Sequence, residues 1–273
     1  MPGLRTLRIL LAVFTLGLSE WKPAKRLGRL GLHRFCRFVL RLRSTDYRID
    51  DLKIALVLAP HPDDEAFGCG GLIARKRLDG QPVHVVFLTD GSASHPGHPT
   101  LTPAVLTELR QREARESLNK LGVDSAMVHF LGIRDGTLTH LSARESANIT
   151  EQLGQLLQTL KPDELFLPCQ NDGSSEHEAA FRLLRTALTK TSPQPRIFEF
   201  PVWSWWNPFL LLRNCFTRRR VVRFDLGGYG FLKRAAIACH RSQISPCPPW
   251  PQPVQSTDFT QLFLSNEEFF YEN

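Results

Sequence analysis

The chain has 273 residues, a formal net charge of +7, and 42% hydrophobic and 22% charged residues. That balance excludes low-complexity and disordered classes and allows one large domain or two small ones around a substantial core. The surplus charge is local: residues 1–50 carry eleven Lys/Arg against three Asp/Glu, whereas the remainder carries 23 against 24, so the main body does not read as a nucleic-acid binder.

Residues 9–18, ILLAVFTLGL, follow Arg5 and Arg8. A spanning helix needs roughly 20 apolar residues, so this run is about half long enough. No small-x-small cleavage site follows it, which argues against a secretory signal. Arg26, Arg29, His33, Arg37 and Arg41 then recur at steps of three and four, with Leu27, Leu30, Phe35, Phe38, Val39 and Leu42 on much of the opposite side. This predicts an amphipathic helix with a basic face, weakened by Gly28 and Gly31. Two readings of the arm 1–50 stand side by side. One is peripheral contact with an anionic membrane, where each cation contributes about 1 kcal/mol; the other is a solvated helix packed on the domain. The six cysteines, at 36, 69, 169, 215, 239 and 247, include no C-x-x-C pair. They read as free thiols of a reducing compartment, which points to the cytosol, with peripheral attachment at the inner membrane face if the arm binds lipid.

From residue 51 the pattern alternates. Apolar runs at 54–59, 82–89, 126–133 and 164–168 predict buried strands, with a further strand at 196–200. Helical segments at 72–78, 104–121, 142–160 and 176–188 separate them, and Ser92–Pro103 is rich in turn residues. The alternation predicts an α/β fold: an open, mainly parallel sheet with helices on both faces. Ligands in such folds bind at the carboxyl ends of the strands. His61–Glu65, Asp90, Asp135 and Asp172–His177 each follow directly on a strand end.

The stretch APHPDDE at 59–65 places one imidazole and three carboxylates within five positions. Such crowding is unfavourable unless a positive centre offsets it. His61 and Asp64, three apart at a strand-to-helix turn, suit zinc or another divalent ion, and catalytic zinc takes three protein ligands. His177, opening a helix after the strand ELFLP, is the candidate third. A carboxylate beside the ligands then serves as general base on the bound water, whose pKa falls from 15.7 to about 7. Glu65 reads as a helix-start or supporting residue. Ordinary helix capping accounts for the acidic residues without any metal.

Together these pieces resemble the PIG-L/LmbE family of zinc-dependent N-deacetylases. The resemblance rests on APHPDDE with Gly68-Cys69-Gly70-Gly71, Leu88-Thr89-Asp90-Gly91, Arg110 with Glu113, Leu121-Gly122-Val123, Leu131-Gly132, Asp135-Gly136 and the Asp172–His177 turn. It implies a Rossmann-like fold that hydrolyses an N-acetyl group on a glucosamine-type sugar or sugar conjugate. It also implies His61, Asp64 and His177 as zinc ligands and Asp63, over Asp64, as the base. The sequence departs from the family at one place: Ser174 stands where many members carry the first histidine of His-x-x-His. Ser174 itself, His240, or the loop histidines His95 and His98 are candidates for that oxyanion-stabilising or proton-donating role.

The segment FEFPVWSWWNPF at 198–209 reads as a core strand and packing loop, or as a sugar-stacking wall. Residues 233–243 predict a helix that closes over the site. The expected organisation is therefore a basic arm (1–50) and a deacetylase domain (51–273), with a core at 51–190 and an aromatic lid region at 191–273. Two rivals to an enzyme are a non-catalytic metal- and sugar-binding member of the fold and a nucleotide-binding α/β protein.

Overall fold

The computed structural model describes the backbone at residues 22–49 and 52–273 and the side chains from residue 28 onward. The apolar run at 9–18 lies outside the described residues. Helix α1 (Lys22–Arg43) leads into β1 (Ser44–Asp46), followed by β2 (Ala55–Ala59), α2 (Asp64–Leu78), β3 (Val83–Thr89) and α3 (Pro103–Lys120). Next come β4 (Val128–Ile133), α4 (Ala143–Leu160), β5 (Glu164–Pro168), α5 (Ser175–Leu188) and β6 (Arg196–Phe200). The remaining part holds the short helices α6 (Trp203–Trp206) and α7 (Pro208–Cys215), then β7 (Arg220–Asp225), α8 (Gly230–Ile237), α9 (Arg241–Ile244), α10 (Thr257–Gln261) and β8 (Glu267–Glu272).

The strands form one sheet in the order β1-β7-β8-β6-β5-β2-β3-β4. Every pairing is parallel except those of β8, which runs antiparallel to both β6 and β7. The predicted α/β fold is thus the one observed. Pleating sends alternate side chains to opposite faces, and β2 illustrates the result. Ala55, Val57 and Ala59 join one core with Leu72 of α2, Leu118 of α3 and Ala236 of α8. Leu56 and Leu58 join the other, with Leu153 of α4 and Leu184 of α5. Burial on both faces is why these strands read as unbroken apolar runs.

Local signals set the helix boundaries. Thr102 caps α3 and Pro103 occupies its first turn, while Ser142 and Glu145 form a reciprocal capping box on α4. The predicted helix at 233–243 is instead two pieces, α8 and α9, broken around His240. Strands β1, β7 and β8 go beyond what the sequence pattern predicts, and β1 brings the end of the arm into the sheet.

Helix α2 is kinked at Cys69. The break frees the N–H groups of Gly71 and Leu72, which donate to the two oxygens of buried Glu268 on β8 at 2.8 and 2.9 Å. Lys233 of α8 reaches the same carboxylate at 2.7 Å. The glycines around the kink admit neighbours: a Cβ on Gly68 would lie 2.0 Å from the Phe200 ring, and one on Gly71 would lie 2.4 Å from Leu226. The GCGG segment is therefore a packing device between helix and sheet.

Helix α1 packs on the domain through buried His33, Cys36 and Leu40. Arg41 pairs with Glu267 at 2.5 Å, Arg37 donates to the Glu267 carbonyl at 2.7 Å, and Arg29 stacks over Trp206 at 3.5 Å. Much of the basic face that the pattern draws as free is thereby turned onto the protein. Among the described residues no helix is long and apolar enough to cross a membrane.

Gly68→Ala forces either Phe200 or the α2 backbone to move. The expected cost is about 1–3 kcal/mol, read as a lowered urea midpoint with an unchanged slope; a midpoint equal to wild type would contradict this packing.

Candidate metal centre

Because β2 has β5 on one side and β3 on the other, the chain reverses its winding there, and such switch points open a crevice at the strand ends. The turns after β5, β2, β3 and β4 supply Asp172–His177, His61–Asp64, Asp90 and Asp135, so four polar turns meet along one edge.

His61 Nδ1 lies 3.2 Å from Asp64 Oδ2, and His177 Nε2 lies 3.3 Å from the same oxygen. One ligand atom from each of His61, Asp64 and His177 falls within 4.8 Å of the other two. Asp135 and Glu176 crowd the far side of His61, at 3.3 and 3.9 Å from Nε2. Glu176 is itself anchored, accepting the N–H groups of Gly136 and Leu138.

Asp172 fixes the orientation of His177. Its fully buried carboxylate accepts the backbone N–H groups of Val202, Trp203 and Ser204 at 2.9–3.0 Å. The same group takes the Nδ1 proton of His177 at 2.8 Å. Nε2 is thereby left as the outward atom; it is buried, and its one near neighbour, Asp64 Oδ2 at 3.3 Å, is not in hydrogen-bond geometry. A buried orphan of this kind requires an explanation. A divalent cation fits: two imidazoles and a carboxylate are zinc-type donors, and a carboxylate behind a ligating histidine is the usual support.

The electrostatics agree. Burial opposes charge on His177, but Asp64 and Asp172 outweigh it and raise its pKa to about 10. Burial likewise opposes charge on His61, yet Asp135 and Asp64 lift it to about 9. Asp64, despite its burial, is held well below the usual carboxylate range by His177 and His61. Asp63 moves the other way: burial raises it to about 6, against the pull of Arg110.

Asp63 sits in a second buried group beside the first. Arg110 Nη2 lies 3.2 Å from its Oδ2 and donates to the Pro62 carbonyl, while Nη1 donates to the Gly91 carbonyl. Glu65 and His240 are both fully buried and face each other at 3.4 Å, with neither ring nitrogen nor carboxylate oxygen in a well-formed hydrogen bond. Burial opposes the His240 charge, but Glu65 and Asp63 raise its pKa. Of the two sequence readings of Glu65, helix start and supporting residue, the contact fits the second: from the first turn of α2 its carboxylate faces His240.

Ser174 is the N-cap of α5, its hydroxyl accepting the His177 N–H at 3.4 Å. His95 and His98 stand against Trp250, the first stacked on it at 5.3 Å. The tryptophans of the aromatic segment pack inward. Trp203 and Trp206 lie on Phe259, and Trp205 lies on Phe269 and His33, which favours the packing reading over a sugar wall. Sequence reasoning assigned Asp172, Arg110 and Glu176 no role in the site. The signal for Asp172 is its place five residues before His177 at a strand tip; Arg110, on α3, has none beyond the family pattern.

The family described as GlcNAc-PI de-N-acetylase matches residues 56–188. A protein of Bacillus subtilis (strain 168), described as a probable N-acetyl-alpha-D-glucosaminyl L-malate deacetylase 2, is 28% identical over 144 residues. The match covers 52% of this chain and 63% of that relative, less than two thirds of its length. The N,N'-diacetylchitobiose deacetylase from Pyrococcus horikoshii shares the fold at a TM-score of 0.55 and 24% identity, over 78% of this chain and 77% of that one. A conserved protein from Thermus thermophilus aligns at a TM-score of 0.53 and 29% identity, over 71% and 80%.

Without metal, both imidazoles carry a proton at pH 7, and ligation requires both neutral. Calorimetric titration of zinc, in buffers of differing ionisation enthalpy, should register about two protons released per ion, one from each histidine. Affinity should fall as the pH drops below about 10, where His177 takes its proton, and more steeply below about 9, where His61 follows. Binding without proton release would refute the cluster as the ligand set.

Proposed function

We propose, from the match of residues 56–188 to the GlcNAc-PI de-N-acetylase (PIG-L) family, that the protein is a metal-dependent hydrolase removing acetyl from an N-acetylated amino sugar or sugar conjugate. The observation that carries the proposal is the convergence of His61, Asp64 and the orphaned Nε2 of His177 beside a buried Asp63. The family description and the Bacillus subtilis relative supply the substrate class.

In this reading His61, Asp64 and His177 hold a divalent ion, zinc being the best match to the donors. Once bound, such an ion polarises the amide carbonyl and acidifies water. Asp63 takes the proton of the attacking water and returns it to the departing amine. A carboxyl group near pH 6 suits that task, being mostly ionised at neutral pH yet basic enough to accept. Arg110 holds the carboxylate in place through its bonds to Asp63 and the Pro62 carbonyl.

Of the candidates for the missing histidine's role, Ser174 stands at the helix start beside the proposed ligand His177, whereas His240 is fully buried behind Asp63. At the helix cap the Ser174 hydroxyl only accepts, which leaves its proton to donate, whereas the His240 nitrogens are unbonded next to Glu65 and Asp63. Being fully buried, His240 is assigned as a positioning residue that sets the charge at Asp63.

Free-amine release from a panel of N-acetylglucosamine conjugates tests the proposal. Asp63→Asn should lower kcat by roughly 10²–10⁴ while metal content, measured by elemental analysis, stays at the wild-type level. His177→Ala should lose both metal and turnover. His240→Gln should shift the acidic limb of the kcat/KM profile, an effect that loss of packing alone would not give. A wild-type protein that retains zinc and releases no amine from any conjugate would favour the non-catalytic binding member instead. Absence of tightly bound zinc would favour the nucleotide-binding reading.

A further inference from the structure

Helices α1 and α7 lie side by side and parallel. Arg29 of α1 stacks on Trp206, just ahead of α7, and Arg43 at the other end of α1 donates to the carbonyls of Cys215 and Thr217, at the end of α7. Their inward faces are packed through Cys36, Leu40, Leu211 and Cys215.

Their outward faces are apolar where solvent-exposed helices are ordinarily polar. On α1, Phe35, Phe38 and Leu42 are 46%, 58% and 72% exposed; on and just after α7, Phe209 and Phe216 are 69% and 58% exposed. Four of the five strongly exposed phenylalanines among the described residues therefore sit on this helix pair, and a concentration of that kind marks a contact surface.

Charge selects the occupant. No Asp or Glu occurs between Glu20 and Asp46, nor between Glu199 and Asp225, so both helices are free of acidic side chains. Arg34, Arg213 and Arg218 are exposed along them. Aromatic side chains flanked by arginines, with no carboxylate, suit the anionic headgroup and acyl boundary of a phospholipid bilayer. A second copy of the chain would bring cation against cation at the same patch.

We propose that the outward face of α1 and α7 docks on an anionic lipid surface, with Phe35, Phe38, Leu42, Phe209 and Phe216 entering the headgroup region. This differs from the sequence expectation, in which the basic side of α1 makes the contact: the structure turns Arg29 and Arg37 onto the protein and leaves the aromatic side outside. The docking face adjoins the metal centre. Arg213 of α7 bonds the Asn171 carbonyl at 3.2 Å, and Leu210 fills the space beside Gly173, both in the turn that carries His177. A bilayer-bound substrate would meet the strand-end crevice from this side. The docking itself does not depend on the deacetylase reading, because its readout is lipid binding and not turnover.

The test is sedimentation of the full-length chain with sucrose-loaded vesicles of phosphatidylcholine alone or with phosphatidylglycerol at roughly one third of the lipid, a content chosen to give a strongly negative surface. Binding should require the anionic lipid and weaken with added salt. Phe38→Ser and Phe209→Ser should each weaken it about tenfold, the transfer value of one buried phenylalanine. Because both residues are exposed, their thermal midpoints should match wild type, which separates lost docking from lost folding. Three results would overturn the proposal: no binding to anionic vesicles, wild-type binding by the Phe38→Ser, Phe209→Ser double variant, or a concentration-dependent dimer in sedimentation velocity that these substitutions dissolve.

Discussion

The buried carboxylate of Asp172 is the constraint on which the site depends. One side chain, fully removed from solvent, gathers three consecutive backbone N–H groups from the start of α6 and the Nδ1 proton of His177. A burial of that kind is tolerable only because the charge is met on every side. Its effect is to weld the turn after β5 to the turn after β6 and to fix which nitrogen of His177 looks into the crevice. Without that bond the imidazole would be free to choose its tautomer and rotamer, and the convergence with His61 and Asp64 would be one arrangement among several.

The rest of the crevice follows a balance of charge. Asp63, Asp64, Asp135 and Glu176 sit close together, and the cations that face them are the imidazoles of His61 and His177 and the guanidinium of Arg110. Without metal the imidazoles are protonated by their neighbours. In the proposed reading, a divalent ion would replace those protons with its own charge at nearly the same place. The crowding of acids in APHPDDE is met by a compensating positive centre at the tip of β2, the protonated imidazoles here and the ion in the proposed metal-bound state.

Much of this is legible without coordinates. Strands buried on both faces announce themselves as apolar runs, and β5 and β6 lie at the limits their runs predict, Glu164–Pro168 and Arg196–Phe200. The assignment of polar turns to strand ends follows from chain order. What escapes is whatever depends on partners distant in sequence. RVVRFD and EEFFYE alternate too weakly and carry too much charge to stand out as strands; β8 is stabilised by antiparallel pairing on both sides, which no local pattern reveals. The helix predicted over 233–243 breaks around His240, whose buried ring faces Glu65, a residue far away in the sequence. Arg110 and Asp172 look ordinary in one dimension for the same reason. The aromatic cluster at 203–206 is ambiguous because a packing tryptophan and a ligand-stacking one have identical sequence signatures.

The position of β8 also has a consequence for how the molecule is made. Residues 267–272 lie in the interior of the sheet, between β6 and β7, while Glu267 holds Arg37 and Arg41 of α1 and Glu268 holds the kink of α2 and Lys233. During translation, β2 through β6 emerge with their parallel partners already available. Strands β1 and β7 can pair with each other but have no edge to join until this late segment leaves the ribosome. Any sheet formed by β2 to β6, and any β1–β7 pair, before that point would be two separate pieces with an open seam, exposing unpaired backbone and apolar side chains on both borders. That interval, closed by six residues, is when the chain most needs shielding from its neighbours in the cell.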